Sequence, residues 1–247
     1  MPDAGPLLTI AGSDPTGGAG VARDVATFAA FGRRCRIVVT AVTAQTPERV
    51  SRVHAVAVPV VAAQLEAALA DGSVQCAKTG MLVDAATVHA VADALAAAPH
   101  LPIVVDPVVR ASAPGVPLLT SDGVDVLRER LLPQCHVVTP NLDELGILTG
   151  RPVATEDERI TAARWLQKTG VPWVVVTGGH ADGAPVDLVV GPGETLRRLS
   201  GRREPGELHG SGCAYSAALC AALASGLEVP EAASTAKGFV AELLSAR

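Results

Sequence analysis

The sequence predicts an α/β three-layer sandwich, with a mostly parallel central sheet and helices on both faces. Three observations carry this. Apolar, β-branched runs alternate with helical patterns along the whole chain. Some runs, such as Ile103-Val104-Val105, are apolar at every position, as strands covered on both faces are. Polar and glycine-rich pieces follow strand after strand, on the edge where an open parallel sheet collects ligands.

The elements follow in order. Leu7–Ala11 is the first strand; it ends at Gly12-Ser13-Asp14 and leads to a helix over 19–31. Arg36–Val42 ends at Thr43-Ala44-Gln45 and leads to a helix over 59–70. Gln75–Lys78 ends at Thr79-Gly80-Met81 before a helix over 84–97. Ile103–Asp106 turns at Asp106-Pro107 before a helix over 122–131. His136–Thr139 ends at Thr139-Pro140-Asn141, with a helix over 156–169 beyond. Trp173–Thr177 ends at Gly178-Gly179-His180. Asp187–Val190 precedes two last helices, 212–225 and 230–246. Each connection is ordinary loop chemistry. Six in register along one sheet edge point to a ligand cleft.

The chain has 247 residues, 49% of them hydrophobic and 18% charged, which fills a sizeable core and excludes a disordered chain. The richest Pro/Gly segments, Ala111–Pro117 and Ser200–Gly206, are too short to be linkers, so one domain over 1–247 is expected. A net charge of −5 leaves no nucleic-acid footprint, although backbone amides can still hold an anion. Aromatics at 2% argue against a base-stacking platform and for helices packed closely through small residues. Five scattered cysteines without a Cys-x-x-Cys pair suggest neither disulfides nor zinc, and fit a reducing compartment. There is no basic segment before the first apolar stretch and no run of membrane-spanning length. The expectation is a soluble, cytoplasmic protein with no membrane partner.

Among the motifs, Gly210-Ser211-Gly212-Cys213 precedes the helix-forming run Ala214–Ala224. Two glycines allow close backbone approach, and the first-turn amides and helix dipole favour an anion. A plain Gly-Ser cap is the simpler alternative. A thiol there is expected to have a depressed pKa and to accept a proton from a substrate hydroxyl. Cys220, further along, reads as core. The run Gly12 to Gly20 is a glycine-rich loop able to close on a ligand; it is neither a Walker loop nor a dinucleotide fingerprint. Asn141 and Glu144 share one face of a first helical turn and suit Mg²⁺, but read alone they are better explained as a capping box. Asp106 ends an apolar strand, where an unpaired carboxylate is expensive, so it is a candidate ligand group. Gln45 offers an amide suited to an aminopyrimidine edge. Alone, Gln45 reads as a solvated loop residue, Met81 as core and Lys237 as solvated helix face. His54, His89, His100 and His136 carry no partner pattern.

Placed in order, these pieces resemble the hydroxymethylpyrimidine and phosphomethylpyrimidine kinases of thiamine biosynthesis, members of the ribokinase-like superfamily. The matching runs are Ile10–Asp14 with Gly17–Gly20, Ala41–Gln45, Lys78–Leu82, Val105–Val108, Thr139–Glu144, Gly178–His180 and His209–Cys213. The resemblance implies a pyrimidine pocket lined by Gly12, Asp24, Gln45, Met81 and Val108. It implies that Asn141, Ser211 and Lys237 meet ATP phosphates, and that Asp106 and Glu144 handle Mg²⁺. Gly210, Gly212 and Cys213 would form an anion hole, with Cys213 as base. A small-molecule pyrimidine partner and a homodimer are implied with them.

The chain departs from the family pattern at Thr177, where Lys-Gly-Gly-His is usual, at Gln45-Thr46-Pro47 in place of Gln-Asn-Thr, and in Ser112–Pro117, which lacks a Gly-Asp pair. Two other readings follow: a pyridoxal kinase-like enzyme, or a pyrimidine- or nucleotide-binding relative whose catalysis is weakened at Thr177.

Overall fold

The computed structural model describes residues 5–46, 48–110, 117–179, 185–202 and 208–246. Among these, nine strands form one sheet: β1 (Leu7–Ser13), β2 (Cys35–Thr46), β3 (Arg49–Ala55), β4 (Cys76–Thr79), β5 (Ile103–Val105), β6 (Val137–Val138), β7 (Trp173–Val176), β8 (Val186–Val190) and β9 (Leu196–Ser200). Their spatial order is β3-β2-β1-β4-β5-β6-β7-β8-β9. The six central strands, β2 to β7 in that order, run parallel; β3, β8 and β9 pair antiparallel at the flanks. The chain leaves β1 toward β2 on one side and returns to β4 on the other. The loops after β1 and β4 therefore diverge and open a crevice.

All seven expected strands are present. β3 and β9 lie outside the expectation because they are edge strands: Arg49, Arg52, His54, Arg197 and Arg198 interrupt the apolar pattern, and charge on an edge strand discourages further pairing. One expected loop is strand instead. Thr43-Ala44-Gln45 lies inside β2, whose end continues as a ribbon with β3, and Gln45 sits opposite Val50.

The helices are α1 (Gly20–Ala30), α2 (Val58–Leu69), α3 (Ala85–Ala96), α4 (Ser121–Val126), α5 (Leu142–Thr149), α6 (Glu156–Gln167), α7 (Ser211–Leu223) and α8 (Val229–Ser245). α4 continues through a π-helical turn, Leu127–Leu131. The short α5 was not expected as an element, although the cap that starts it was. One sheet face packs against α2 to α6 through Leu, Val and Ile side chains. The other face carries α1, α7 and α8, with Leu7, Cys76, Val104, Val137, Val175 and Val189 beneath them. Helix α7 is buried from Ala214 to Ala222. An all-round buried helix needs small residues to lie this close to a sheet, and its alanines account for the low aromatic content. No helix among the described residues is long and apolar enough to cross a membrane. His180, Pro47, residues 112–116 of the Ser112–Pro117 loop, and most of the Ser200–Gly206 segment lie outside the described residues.

Candidate active site

The last glycine turn stands at the C-terminal edge of the sheet. Gly210 is the N-cap of α7, in the left-handed conformation (φ 75°, ψ 23°), and with no side chain it leaves the first-turn amides uncapped by one. Ser211 is the first helical residue. Gly212 is exposed, and a Cβ there would meet nothing within 4 Å, which leaves room for a ligand against the first-turn amides.

This turn is locked to the first glycine loop. Asp14, only 6% exposed, accepts hydrogen bonds from Thr16 N (2.8 Å), Thr16 Oγ1 (2.8 Å) and Ala19 N (2.8 Å). Its Oδ2 also meets His209 Nε2 at 2.9 Å. A Cβ at Gly210 would collide with the Gly18 carbonyl, and one at Gly18 with the His209 ring. Gly20 is likewise left-handed (φ 59°), and a Cβ there would strike the Gly12 carbonyl. Burial pushes the Asp14 carboxyl up, but hydrogen bonds from Gln45, Thr16 and His209 outweigh it and hold it below the usual range.

Beneath the turn lies a buried charged network. Lys78, fully buried in β4, donates to both Asp24 oxygens at 3.0 Å and stands 3.9 Å from Asp106 Oδ2. Thr9 Oγ1 donates to Asp24 Oδ2 at 2.5 Å, and Ser216, one turn into α7, donates to Asp106 Oδ2 at 2.8 Å. Burial lowers the Lys78 pKa, yet Asp24, Cys213 and Asp106 reverse that, so the ammonium stays charged. Asp24, which the resemblance assigns to the pyrimidine pocket, is fully buried, with its oxygens bonded to Lys78 and Thr9.

Cys213 is part-buried, and its thiol is not depressed as expected from its helix position. Burial pushes it up to about 12, with Asp106 and Asp24 adding to the rise against Lys78 and a Gly20 backbone amide. The helix terminus and one ammonium lose to desolvation and two carboxyls.

Asn141 and Glu144 form the capping box of α5: Glu144 N donates to Asn141 Oδ1 (2.9 Å) and Asn141 N to Glu144 Oε2 (3.0 Å). Glu144 is also buried, and desolvation with Asp106 nearby raises its pKa to about 8; Asp106 is raised too, chiefly by burial. A buried carboxyl raised by a second carboxyl, as Glu144 is by Asp106, is an arrangement a cation relieves. Among the described residues no group of three His, Cys, Asp or Glu could hold a metal. Asp106 and Glu144 are hard oxygen donors of the kind that suits Mg²⁺, which commonly takes one or two carboxylates beside phosphate and water.

Gly12, Met81 and Val108 gather on the other side of the crevice. The Gly12 backbone packs on Met81 Sδ, and Met81 and Val108 belong to one small apolar cluster with Ala41, Val50 and Leu118. Val108 adopts φ 38°, costly for a β-branched residue and a mark of local strain. Lys237 is not on a solvated face. Its Nζ lies 2.9 Å from Asp187 Oδ2, and Asp187 Oδ1 accepts from Gly178 N at 2.9 Å, next to Thr177.

Sequence reasoning assigned no role to Lys78, Thr9, Asp14, His209, Ser216 or Asp187. A signal existed for Lys78 and Asp187: a charged residue inside an apolar strand must find a partner. Thr9, Asp14, His209 and Ser216 become visible only through contacts with residues 15 or more positions away.

Solved structures carry the same fold. Phosphomethylpyrimidine kinase from Clostridium difficile 630 superposes with a TM-score of 0.85 at 31% identity, covering 97% of this chain and 99% of that one. Pyridoxal kinase from Staphylococcus aureus, in complex with AMP-PCP and pyridoxal, gives 0.86 at 32% identity over 96% and 86%. The class is thereby set: the protein is a kinase with the ribokinase-like fold. Within that class the chain belongs to the phosphomethylpyrimidine kinase family, whose model matches residues 14–247. The hydroxymethylpyrimidine/phosphomethylpyrimidine kinase of Rhizobium meliloti is 42% identical over 97% of this chain and 90% of its own length. The thiamine biosynthesis bifunctional protein ThiED of Geobacter sulfurreducens is 39% identical over 96% of this chain, which spans 48% of that protein.

Proposed function

We propose that the protein phosphorylates 4-amino-5-hydroxymethyl-2-methylpyrimidine, its monophosphate, or both, with ATP as donor and Mg²⁺ as metal. One observation supports this reading: Gly12 lies against Met81, which clusters with Val108, and Asp14, two residues after Gly12 and beside Gln45, is bonded to His209 just before the N-terminus of α7. Acceptor and phosphate are thereby held side by side, which is most of what phosphoryl transfer requires.

In this reading the aminopyrimidine edge meets the Gln45 amide. Gly210 and Gly212 receive the transferring phosphoryl oxygens on their amides, Ser211, whose own amide is held by Leu208 O, offers its hydroxyl, and Asn141 and Lys237 serve the ATP phosphates. Asp106 and Glu144 would hold Mg²⁺, largely through water, and the ion would supply charge neutralisation on the phosphates. Cys213 takes the hydroxyl proton as thiolate. Because its thiol stands near 12, the active fraction is small at neutral pH and grows tenfold per pH unit. The rate through Cys213 rises with pH across the neutral range, and Cys213→Ala flattens that rise and lowers kcat by about 10²–10⁴. A rise in the variant equal to that in the wild type removes Cys213 as base. The same reading carries a homodimer in the cytoplasm, which molar mass by light scattering and cell fractionation test.

An ATP-consumption assay with both pyrimidines and with pyridoxal decides the substrate. Turnover of a pyrimidine is expected; no turnover of either by folded, ATP-binding protein overturns the reading. The similarity to pyridoxal kinase favours one second reading, and a preference for pyridoxal in this assay would select it.

A further inference from the structure

The Asp14–His209 contact performs none of the chemical steps just described, yet it joins the two halves of the site. Asp14 follows β1 on the acceptor side, and His209 directly precedes the phosphate cradle. The carboxylate is 6% exposed and filled by protein donors on both oxygens, so it is not a group that contacts substrate. An ionised carboxylate only accepts, which makes His209 Nε2 the donor and fixes that proton on Nε2. Around this bond the two loops interlock: Gly18 lies against the His209 ring, Gly210 against the Gly18 carbonyl, and Arg23 Nε holds that carbonyl at 2.9 Å. Three left-handed glycines (Gly17, Gly20 and Gly210) give both loops freedom to wander unless something ties them. Gln45, on the acceptor side, presses on the same carboxylate.

We propose that Asp14 and His209 are positioning residues that bind the acceptor loop and the phosphate cradle into one unit, so that filling the acceptor pocket and ordering the cradle are coupled. The coupling travels from Gln45 through the Asp14 carboxylate to His209 and the backbone of Gly210. Its energetic basis is preorganisation: the cradle amides need their final positions before transfer, and a displacement of about 1 Å costs about a hundredfold in rate. A merely structural bond would lower stability and leave the ligands independent of each other.

The proposal rests on the reading of acceptor and phosphate sides above, and the test keeps the two apart by using whichever acceptor the wild type turns over. Two quantities are measured on wild type, His209→Ala, His209→Gln, Asp14→Asn and the His209→Ala/Asp14→Asn double variant: kcat against acceptor KM, and the affinity for AMP-PCP with and without acceptor. Wild type binds AMP-PCP more tightly when the acceptor is present. His209→Ala lowers kcat about tenfold to a hundredfold, changes acceptor KM little and abolishes that tightening. His209→Gln keeps an amide donor near the Nε2 position and restores most of both. The double variant loses no more than the worse single one, because both remove the same link. Retention of kcat and of the ligand coupling in folded His209→Ala overturns the proposal, as does a His209→Gln variant no better than alanine while equally stable.

Discussion

The two faces of the sheet are built on different terms. On the face covered by α2 to α6, the packing is Leu, Val and Ile, and the ion pairs around it are solvent-exposed ones such as Arg130–Asp93 and Arg128–Asp125. On the face covered by α1, α7 and α8, Lys78–Asp24 and Lys78–Asp106 are buried and Lys237–Asp187 is half-buried. Burying charge is expensive, and apolar residues of similar volume would hold the layers together at least as well. The charges therefore mark the face that does chemistry, and the alanines of α7 let its N-terminus reach them. One face supplies stability, the other spends part of it on the site.

The largest expected effect comes from removing the cation at the centre of this network. Lys78→Met leaves Asp24 and Asp106 buried with no positive partner and costs about 3–5 kcal/mol. On the apolar face, Leu145→Ala, which empties a fully buried site, costs about 2–5 kcal/mol. Chemical denaturation places the two variants close together. Turnover per folded molecule separates them: it falls at least tenfold in Lys78→Met and stays near wild type in Leu145→Ala. Equal turnover in the two would mean that the charged face is merely structure.

A smaller effect is expected at Ser216, whose hydroxyl ties Asp106 to the first turn of α7. Ser216→Ala strands a buried carboxyl oxygen and costs about 1–3 kcal/mol. If Asp106 serves the metal, the Mg²⁺ concentration for half-maximal rate rises with it, whereas the acceptor KM holds. A shift in acceptor KM alone would move Asp106 to the other side of the crevice.

How much of this was legible in the sequence follows the same divide. The apolar face is local information: Ile103-Val104-Val105 and the strands beside it declare themselves by composition, and so do the helices that cover them. β3 and β9 did not, because edge strands carry arginines that look like loop. On the charged face the glycine turns and Asp106 were visible as motifs, but the partners were not. Asp24 looked like a pocket residue until Lys78 and Thr9 were found on its oxygens, 54 and 15 residues away. The thiol of Cys213 looked acidic for its helix position, and its burial in the assembled site, with the carboxyls beneath, reverses that. Charge balance is a property of the assembled site, and a chain read one motif at a time does not contain it.

Thr177 offers the mildest and most discriminating change. In β7, Val175 faces the α7–α8 side, and Thr177 has the same parity, so a lysine there would join the charged face. Its backbone amide donates to Pro140 O at 3.0 Å, beside Asn141, and the next amide, Gly178 N, donates to Asp187. Lys237 already occupies Asp187 from α8. Two cases then differ. If the phosphate site lacks a cation, Thr177→Lys supplies one where negative charge gathers and kcat rises, by about tenfold at most, for a single exposed-edge charge. If Lys237 already serves the site, the new ammonium competes for Asp187, and kcat stays level or falls. Lys237→Ala in both backgrounds resolves them: loss of activity in the parent that is restored in Thr177→Lys shows one cationic position filled from either of two elements, whereas no restoration confines the role to α8.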